Sequence, residues 1–260
     1  MLNKNIASIL WSVCLTIALL SVGVVFTGCA ASNSEIKAEK TDPKELYDKA
    51  VLTYLEEDLP EAERLFARLM EDHPLSAYSQ EAELLIGDVC YGQQKYDDAA
   101  SYYTNFIAMH PSHPRSAYAA FQKGMSYLKG VLTIDRDQAA TRKALFAFED
   151  LLAGHPDSPY NAKAREMSLY LKKRLAEREL YVADFYFKGE NYKGALVRYR
   201  DVLKDYQGIP GVADKALYYI GESYTKLGET ALARDAWVTL IKNFPDSPFT
   251  ADANDRLRKG

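Results

Sequence analysis

Apolar residues recur along this chain with a helical period, and short turns of related composition interrupt them. Four of these turns read DHPLSAYSQEA from residue 72, MHPSHPRSAYAA from 109, GHPDSPYNAKA from 154 and NFPDSPFTADA from 243. A fifth, DYQGIPGVADKA from 205, has Gln207 where the others have proline. Proline disfavours helix in the residue before it, and Ser or Asp caps the next helix. Each turn therefore predicts the end of one helix and the start of another.

The turns fit the period of the tetratricopeptide repeat (TPR), a unit of two helices, A and B. We placed each turn at position 32 of the roughly 34-residue repeat frame. An alanine then falls at the small-residue position of every helix B, and an aromatic residue falls four positions later. The pairs are Ala62 and Phe66, Ala99 and Tyr103, Ala144 and Phe148, Ala195 and Tyr199, and Ala233 and Trp237. The pattern predicts an all-α fold, a TPR superhelical solenoid of five helix-turn-helix repeats.

Helix A of each repeat has its own small residue, where helix B must approach closely. These residues are Ala50, Gly87, Gly124, Ala183 and Gly221. We expect the helix-B alanine to meet this residue, and the helix-B aromatic residue to fill the groove toward the next repeat. Most of the 19 tyrosines are then packing residues rather than parts of a cofactor site.

Two segments depart from the period. GVLTIDRDQ, residues 130–138, lengthens the connection between the helices of the third repeat. The segment after Pro156 continues without a helix break until Gly189 and predicts one or two long helices leading into the fourth repeat. We therefore assign repeats 1–3 to an N-terminal part, residues 43–157, and repeats 4–5 with a terminal helix to residues 158–260.

The N-terminus has the layout of a bacterial export signal. Lys4 precedes 21 residues, Ala7 to Thr27, that include no charged side chain, and Cys29 follows. Such a run is also long enough to span a bilayer as an uncleaved anchor. FTGC, residues 26–29, resembles the lipobox of bacterial lipoproteins, in which the cysteine thiol is alkylated by diacylglycerol and becomes the first mature residue.

The lipobox predicts a signal peptide over residues 1–28 and a lipidated Cys29, with an uncleaved anchor or an incidental cysteine as the alternatives. Residues 29–42 then include the lipidated cysteine and a polar flexible tether, which holds the folded body up to roughly 40 Å from a membrane. The expected covalent additions are a diacylglycerol and a fatty acid on Cys29, and no other cofactor is predicted.

Composition excludes several classes of function. Lys and Arg total 32 against 36 Asp and Glu, without a clustered basic stretch, so no nucleic-acid partner is expected. No nucleotide-binding glycine loop or catalytic motif is present, and we predict no enzymatic activity. His110 and His113 have a spacing that permits metal binding, but they lie in a proline-rich turn without cysteine, and a structural role is favoured. Cys90 is expected to be a small buried apolar residue.

TPR stacks bind peptide segments on the concave face formed by their A helices. In repeats 1 and 2 the usual contact positions are mostly aromatic or aliphatic, and we term them the predicted peptide groove: Tyr47, Val51, Tyr54, Leu84, Asp88 and Tyr91. In repeats 4 and 5 the same positions are polar and include Asp184, Lys188, Tyr218, Glu222 and Lys226. The alternative for each tyrosine is packing against a neighbouring helix.

Two longer segments resemble one family of TPR lipoproteins. IDRDQAATRKALFAFEDLLAGHPDSPY, residues 134–160, and LKKRLAERELYVADFYFKGENYKGALVRYRDVLKDY, residues 171–206, are similar to the BamD family of the β-barrel assembly machinery. The resemblance implies an outer-membrane lipoprotein, lipid-anchored on the periplasmic side in a Gram-negative bacterium. Ala30 after the lipidated cysteine agrees with outer-membrane sorting.

The resemblance also implies partners. The N-terminal repeats are expected to receive the C-terminal signal strand of unfolded outer-membrane proteins. The C-terminal repeats are expected to dock a BamA-type barrel-forming insertase, alongside other assembly lipoproteins. Arg198 matches an arginine of the family pattern and joins the C-terminal set, which we term the predicted partner surface. A periplasmic TPR adaptor of the cell-division or Tol-Pal type is the alternative, but such proteins usually lack the lipobox and the long fourth-repeat helix.

Overall fold

The computed structural model describes residues 41–206 and 208–259, and every regular element in these ranges is an α-helix. The eleven helices of this part are α1 (Pro43–Leu55), α2 (Leu59–Asp72), α3 (Ala77–Gly92), α4 (Tyr96–Met109), α5 (Ser116–Lys129), α6 (Ala139–Gly154), α7 (Asn161–Lys188), α8 (Tyr192–Tyr206), α9 (Ala213–Lys226), α10 (Thr230–Asn243) and α11 (Thr250–Lys259). Each packs mainly against its neighbours in sequence. The predicted all-α TPR fold is confirmed.

Polar caps explain where the first helices begin. The Asp42 carboxylate accepts hydrogen bonds from the backbone N–H groups of Lys44 and Glu45, and Pro43 occupies the first turn. Asp58 accepts from the N–H of Glu61, and Ser76 accepts from that of Tyr78. These side chains satisfy backbone donors that have no partner within the helix, so α1, α2 and α3 start where the sequence supplies a cap.

Helices A and B are joined by a three-residue turn in repeats 1, 2, 4 and 5. The middle residue has a positive φ in each: 62° at Glu57, 63° at Gln94, 60° at Glu190 and 80° at Gly228. The next residue donates its N–H to the carbonyl five residues earlier, as Asp58 does to Thr53. This is the Schellman arrangement that ends a helix.

Repeat 3 replaces the short turn with residues 130–138. The side-chain amide of Gln138 donates to the carbonyl oxygens of Thr133 at 2.9 Å and Arg136 at 3.0 Å, and Gln138 is buried. The side chain of Gln138 therefore holds the enlarged connection together by donating hydrogen bonds to two of its backbone carbonyl groups.

The long helix α7 is continuous over 28 residues and packs in two directions. Its N-terminal half buries Ala164 and Leu171 in an apolar cluster with α5 and α6. Its C-terminal half buries Ala176, Leu180 and Ala183 in a second cluster with α8 to α11. The C-terminal half is helix A of repeat 4, so one helix joins two apolar cores. The boundary at residues 157 and 158 stays a prediction.

The glycines of helix A lie directly under the aromatic residues of helix B. A Cβ atom on Gly87 would lie 2.7 Å from Cε1 of Tyr103, and one on Gly124 would lie 2.6 Å from Cε1 of Phe148. At Gly221 the nearest atoms belong to the indole of Trp237. We expected the helix-B alanine to lie against the small residue of helix A. At these three glycines the aromatic ring of helix B is closest instead, because the ring occupies the space that the absent glycine side chain leaves open.

Residues 1–40 lie outside the described ranges. They include the predicted signal peptide, Cys29 and nearly all of the tether, so these assignments remain predictions from the sequence. Within residues 41–206 and 208–259, no helix is both long and apolar enough to cross a membrane.

Candidate peptide-binding face

The α1 residues of the predicted peptide groove lie on one helical face. Tyr47, Val51 and Tyr54 are spaced by four and three residues, so their side chains are neighbours on α1, and all three are half-buried. The ring of Tyr47 lies 5.3 Å from that of Tyr78 on α3. Burial raises the pKa of Tyr47 and of Tyr54, and these two side chains therefore stay neutral hydrogen-bond donors at ordinary pH.

Asp88 on α3 is the polar centre of this face. Its Oδ1 atom accepts hydrogen bonds from the hydroxyl groups of Tyr103 at 2.7 Å and Tyr118 at 2.8 Å. The Oδ2 atom lies 3.7 Å from the guanidinium of Arg115, which also pairs with Glu81 at 2.9 Å. Burial raises the pKa of Asp88, and the hydrogen bonds and the arginine oppose that rise. A buried carboxylate needs such partners, because burying an unpaired charge is costly.

The remaining groove residues behave differently. Leu84 is fully buried in the apolar cluster of repeats 1 and 2, so its predicted place on the open face is wrong. It is buried because α3 packs against α1, α2 and α4. Tyr91 is half-buried and packs edge-on against Tyr96, with the rings 5.3 Å apart. The structure therefore groups Tyr47 and Tyr54 near the Asp88 centre and packs Tyr91 against helix B.

Repeats 4 and 5 repeat the acidic position of Asp88. Asp184 accepts from the Tyr199 hydroxyl at 2.6 Å and pairs with Lys215 at 2.8 Å. Glu222 pairs with Arg256 at 2.8 Å, and burial raises the pKa of Glu222. In repeats 2, 4 and 5, the carboxylate that follows the small residue of helix A pairs with a cation beyond helix B. That cation precedes the A helix of repeat 3, lies on the A helix of repeat 5, or lies on the terminal helix α11. Successive repeats are therefore linked by ion pairs along their A helices.

The predicted partner surface divides into two sides. Asp184 and Lys188 are one turn apart on α7, whereas Arg198 on α8 lies over the ring of Tyr186, at 5.9 Å. Residues two apart on a helix point roughly 200° apart, so Tyr186 and Arg198 lie on the side of α7 opposite Asp184.

The α9 members of this set run along one helical face. Tyr218 is half-buried and stacks on Phe249 at 5.1 Å, Glu222 is buried, and Lys226 is exposed. Lys188 and Lys226 are both exposed, whereas Tyr218 and Glu222 contact Phe249 and Arg256 at the C-terminal end of the repeats.

Several exposed apolar side chains were not predicted as contacts. On α7, Tyr170 and Tyr181 are each 47% exposed and Phe185 is 72% exposed, and Leu132 in the enlarged connection is 49% exposed. The sequence signal was the number of apolar residues between 160 and 188, which exceeds what one buried stripe needs.

The residues considered for metal binding have other partners. Nε2 of His110 lies 3.1 Å from Glu83, Nε2 of His113 lies 3.3 Å from Glu81, and both rings contact Phe106. No group of three or more potential ligands is arranged for a metal within the described part of the chain. Cys90 is 1% exposed, and burial raises the pKa of its thiol to about 11, so its predicted place in the core is confirmed.

The repeats and their open A-helix face define the class of this molecule as a TPR solenoid protein. A family model described as an outer membrane lipoprotein, YfiO, matches residues 39–239. The chain is 30% identical over 241 residues to the outer membrane protein assembly factor BamD of Xylella fastidiosa strain 9a5c, covering 89% of this chain and 82% of the relative. It is 28% identical over 240 residues to the factor of the same name from Caulobacter vibrioides, covering 92% and 78%.

The chain belongs to the YfiO family of outer membrane lipoproteins, whose curated relatives are named outer membrane protein assembly factor BamD. Among solved structures, the TPR2AB domain of yeast Sti1 aligns with 84% of each chain at a TM-score of 0.44 and 14% identity. The resemblance to the BamD family in the sequence is confirmed.

Proposed function

We propose that this protein is an outer-membrane lipoprotein scaffold of the β-barrel assembly machinery, without catalytic activity of its own. In this role it binds the signal strands of unfolded outer-membrane proteins through repeats 1 and 2, and it docks the barrel-forming insertase through repeats 4 and 5. Family membership supports a role in outer-membrane protein assembly, because the relatives are named as outer membrane protein assembly factors. It does not favour the alternative of a cell-division adaptor.

One observation carries the assignment of the peptide face. Tyr47, Val51 and Tyr54 present a half-buried aromatic and aliphatic strip, and Arg115, half-exposed, lies beside Asp88 at its edge. Tyrosine offers a large apolar contact area with little loss of side-chain entropy, and its hydroxyl group can bond a peptide backbone. Such a strip suits an extended segment rich in apolar and aromatic side chains.

The two sides of the partner surface suit different contacts. Arg198 is exposed, makes no ion pair among the described residues, and is held over Tyr186. An arginine fixed by an aromatic ring is a common anchor in protein interfaces. We assign the Arg198 side to the contact with the insertase.

The test is photo-crosslinking in living cells from a crosslinking amino acid at Tyr54. We expect capture of outer-membrane proteins that are still unfolded, because Tyr54 lies in the proposed peptide strip. A crosslinker at Val238, which is 46% exposed on helix B of repeat 5, is the control and should not capture them. Recovery of division-septum proteins alone from position 54 would contradict the proposal.

The membrane anchor has its own test. The substitution Cys29→Ser should abolish incorporation of labelled fatty acid, because no thiol remains at the lipobox. Circular dichroism should show unchanged helix content, since the described helices begin at Pro43. Normal lipid labelling of this variant would rule out Cys29 as the attachment point.

A further inference from the structure

The turn between α2 and α3 has an exposed apolar residue where comparable turns are polar. In four of the inter-repeat turns, one carbonyl accepts a hydrogen bond from the N–H three residues later, and the accepting residues are His73, His110, His155 and Phe244. Two positions after them the residues are, in the same order, Leu75, Ser112, Asp157 and Asp246. All four of these positions are exposed, and Leu75 is 98% exposed. A leucine fully open to water at this position indicates a surface that another group covers.

Leu75 forms part of the wall of a pocket between the ends of α2 and α4 and the start of α3. The pocket has a volume of about 420 Å³, and its lining includes Met70, Pro74, Leu75, Glu83, Met109 and His110. Met109 is 72% exposed. The Glu83 carboxylate pairs with His110 at 3.1 Å. What the pocket offers an occupant is therefore mainly the apolar surface of its two methionines, its proline and its leucine.

The chain that leads into α1 contacts the same turn. Nε2 of His73 donates a hydrogen bond to the backbone carbonyl of Thr41 at 2.8 Å, and Thr41 is half-buried. Pro74 and Leu75 follow His73 directly, so the pocket wall begins one residue beyond the histidine that holds Thr41. The predicted tether therefore joins the folded body beside this pocket.

The tether has one side chain suited to the pocket. Residues 30–40 read AASNSEIKAEK, and Ile36 is the one apolar residue among them that is larger than alanine. The five residues from Ile36 to Thr41 span up to roughly 17 Å when extended, which is enough to reach a pocket that begins at Pro74. Neighbouring side chains of an extended segment point to opposite sides, so Glu35 and Lys37 can stay in water while Ile36 is buried.

We propose that Ile36 docks in this pocket, so that the tether folds back over the first inter-repeat turn and covers Leu75 and Met109. A segment attached a few residues away has an effective concentration on the order of millimolar, which favours it over a second copy or another protein. Docking leaves only residues 30–35 between Cys29 and the folded body. The reach from a lipid anchor then falls from roughly 40 Å to roughly 20 Å. This consequence rests on the proposed lipidation of Cys29, whereas the docking itself does not.

The first test is photo-crosslinking within one chain. An aliphatic diazirine amino acid replaces Ile36 in the full-length protein, which is purified from membranes in detergent and irradiated. Mass spectrometry should find crosslinks within the chain to the segments around Leu75 and Met109. The matched control has the same amino acid at Ala31, five residues nearer the anchor, and should give few crosslinks to these segments.

Trypsin measures how firmly the tether is held. Cleavage after Lys37 follows the fraction of molecules in which the segment is released from the body. Ile36→Ser should raise the cleavage rate about tenfold, because the apolar contact is lost. Leu75→Ser combined with Met109→Ser should have the same effect. Leu55→Ser is the control, because Leu55 is 69% exposed outside the pocket and its loss should leave the rate unchanged. Thermal unfolding of each variant checks that the fold is intact.

Crosslinks from position 36 that lead only to a second copy or to another protein would overturn the proposal. A cleavage rate that is the same in the native chain and in the Ile36→Ser variant would also overturn it, as would an equal rise in the Leu55→Ser variant. The outcome is separable from the tests of the proposed function, because docking of Ile36 requires neither capture at Tyr54 nor lipid labelling at Cys29.

Discussion

Repeats 2 and 4 build the same buried contact from different chemistry. In repeat 2, Asp88 is buried and bonded by two tyrosine hydroxyl groups, while its cation, Arg115, is 3.7 Å away. In repeat 4, Asp184 is half-buried, bonded by one tyrosine, and has Lys215 at 2.8 Å. The first carboxylate depends mainly on neutral donors inside the fold, and the second depends on a close ion pair nearer to water.

The other repeats show what the pairing requires. Where the residue after the helix-A small residue is apolar, as at Val51 and Met125, the aromatic residue of helix B is Phe66 or Phe148, which lacks a hydroxyl group. Where it is aspartate, helix B supplies tyrosine. In repeats 2 and 4 the carboxylate and the hydroxyl group thus satisfy each other, whereas Glu222 of repeat 5, which occurs with Trp237, has Arg256 as its partner.

The largest expected effect comes from adding a methyl group under the ring in repeat 2. Gly87→Ala places a Cβ 2.7 Å from the Tyr103 ring, which must move away from Asp88. We expect a loss of about 2–3 kcal/mol in the free energy of unfolding, measured with urea. Gly154→Ala is the control, since a Cβ added there would meet nothing within 4 Å beyond its chain neighbours and the nearby backbone of its own helix, and it should be neutral or stabilising. Similar stabilities for the two variants would contradict the close contact.

A smaller effect separates the two carboxylates. Tyr103→Phe removes one of the two hydroxyl groups that bond Asp88 inside the fold, and we expect a loss of about 1–3 kcal/mol. Tyr199→Phe leaves Asp184 paired with Lys215 and near water, so its loss should be about 0.5–1.5 kcal/mol. Urea unfolding of both variants gives the difference directly. A larger loss in the Tyr199 variant would mean that burial does not determine the cost.

The sequence predicts the repeats better than it predicts the open face. The small residues of helix A and the aromatic residues of helix B can be predicted from their spacing, because core packing permits few residue types at those positions. Leu84 was misplaced because a repeat frame assigns positions to a face without the contacts between neighbouring helices. Phe185 was missed because the buried stripe of α7 changes sides between Leu175 and Ala176 as the helix passes from α6 to α8, and one helical period cannot describe both halves.

The smallest expected effect is a dependence of stability on pH that arises in repeat 2. Burial raises the pKa of Asp88, so the folded chain binds this proton more tightly than the unfolded chain does. The stability that protonation of Asp88 supplies is therefore present at low pH and is lost as pH rises from its unfolded pKa of about 3.9 through the higher folded value.

Asp88→Asn removes this titration. The free energy of unfolding lost on substitution should be larger near pH 4 than near pH 7, because the native chain gives up part of its advantage as Asp88 ionises. Urea unfolding across that range measures it, with exposed Asp97→Asn on α4 as the control for removal of one carboxylate. A loss that grows with rising pH would show that the tyrosine hydroxyl groups and Arg115 together stabilise ionised Asp88 by more than burial disfavours it. Repeat 2 would then stabilise an ionised carboxylate as repeat 4 does, in spite of the deeper burial of Asp88.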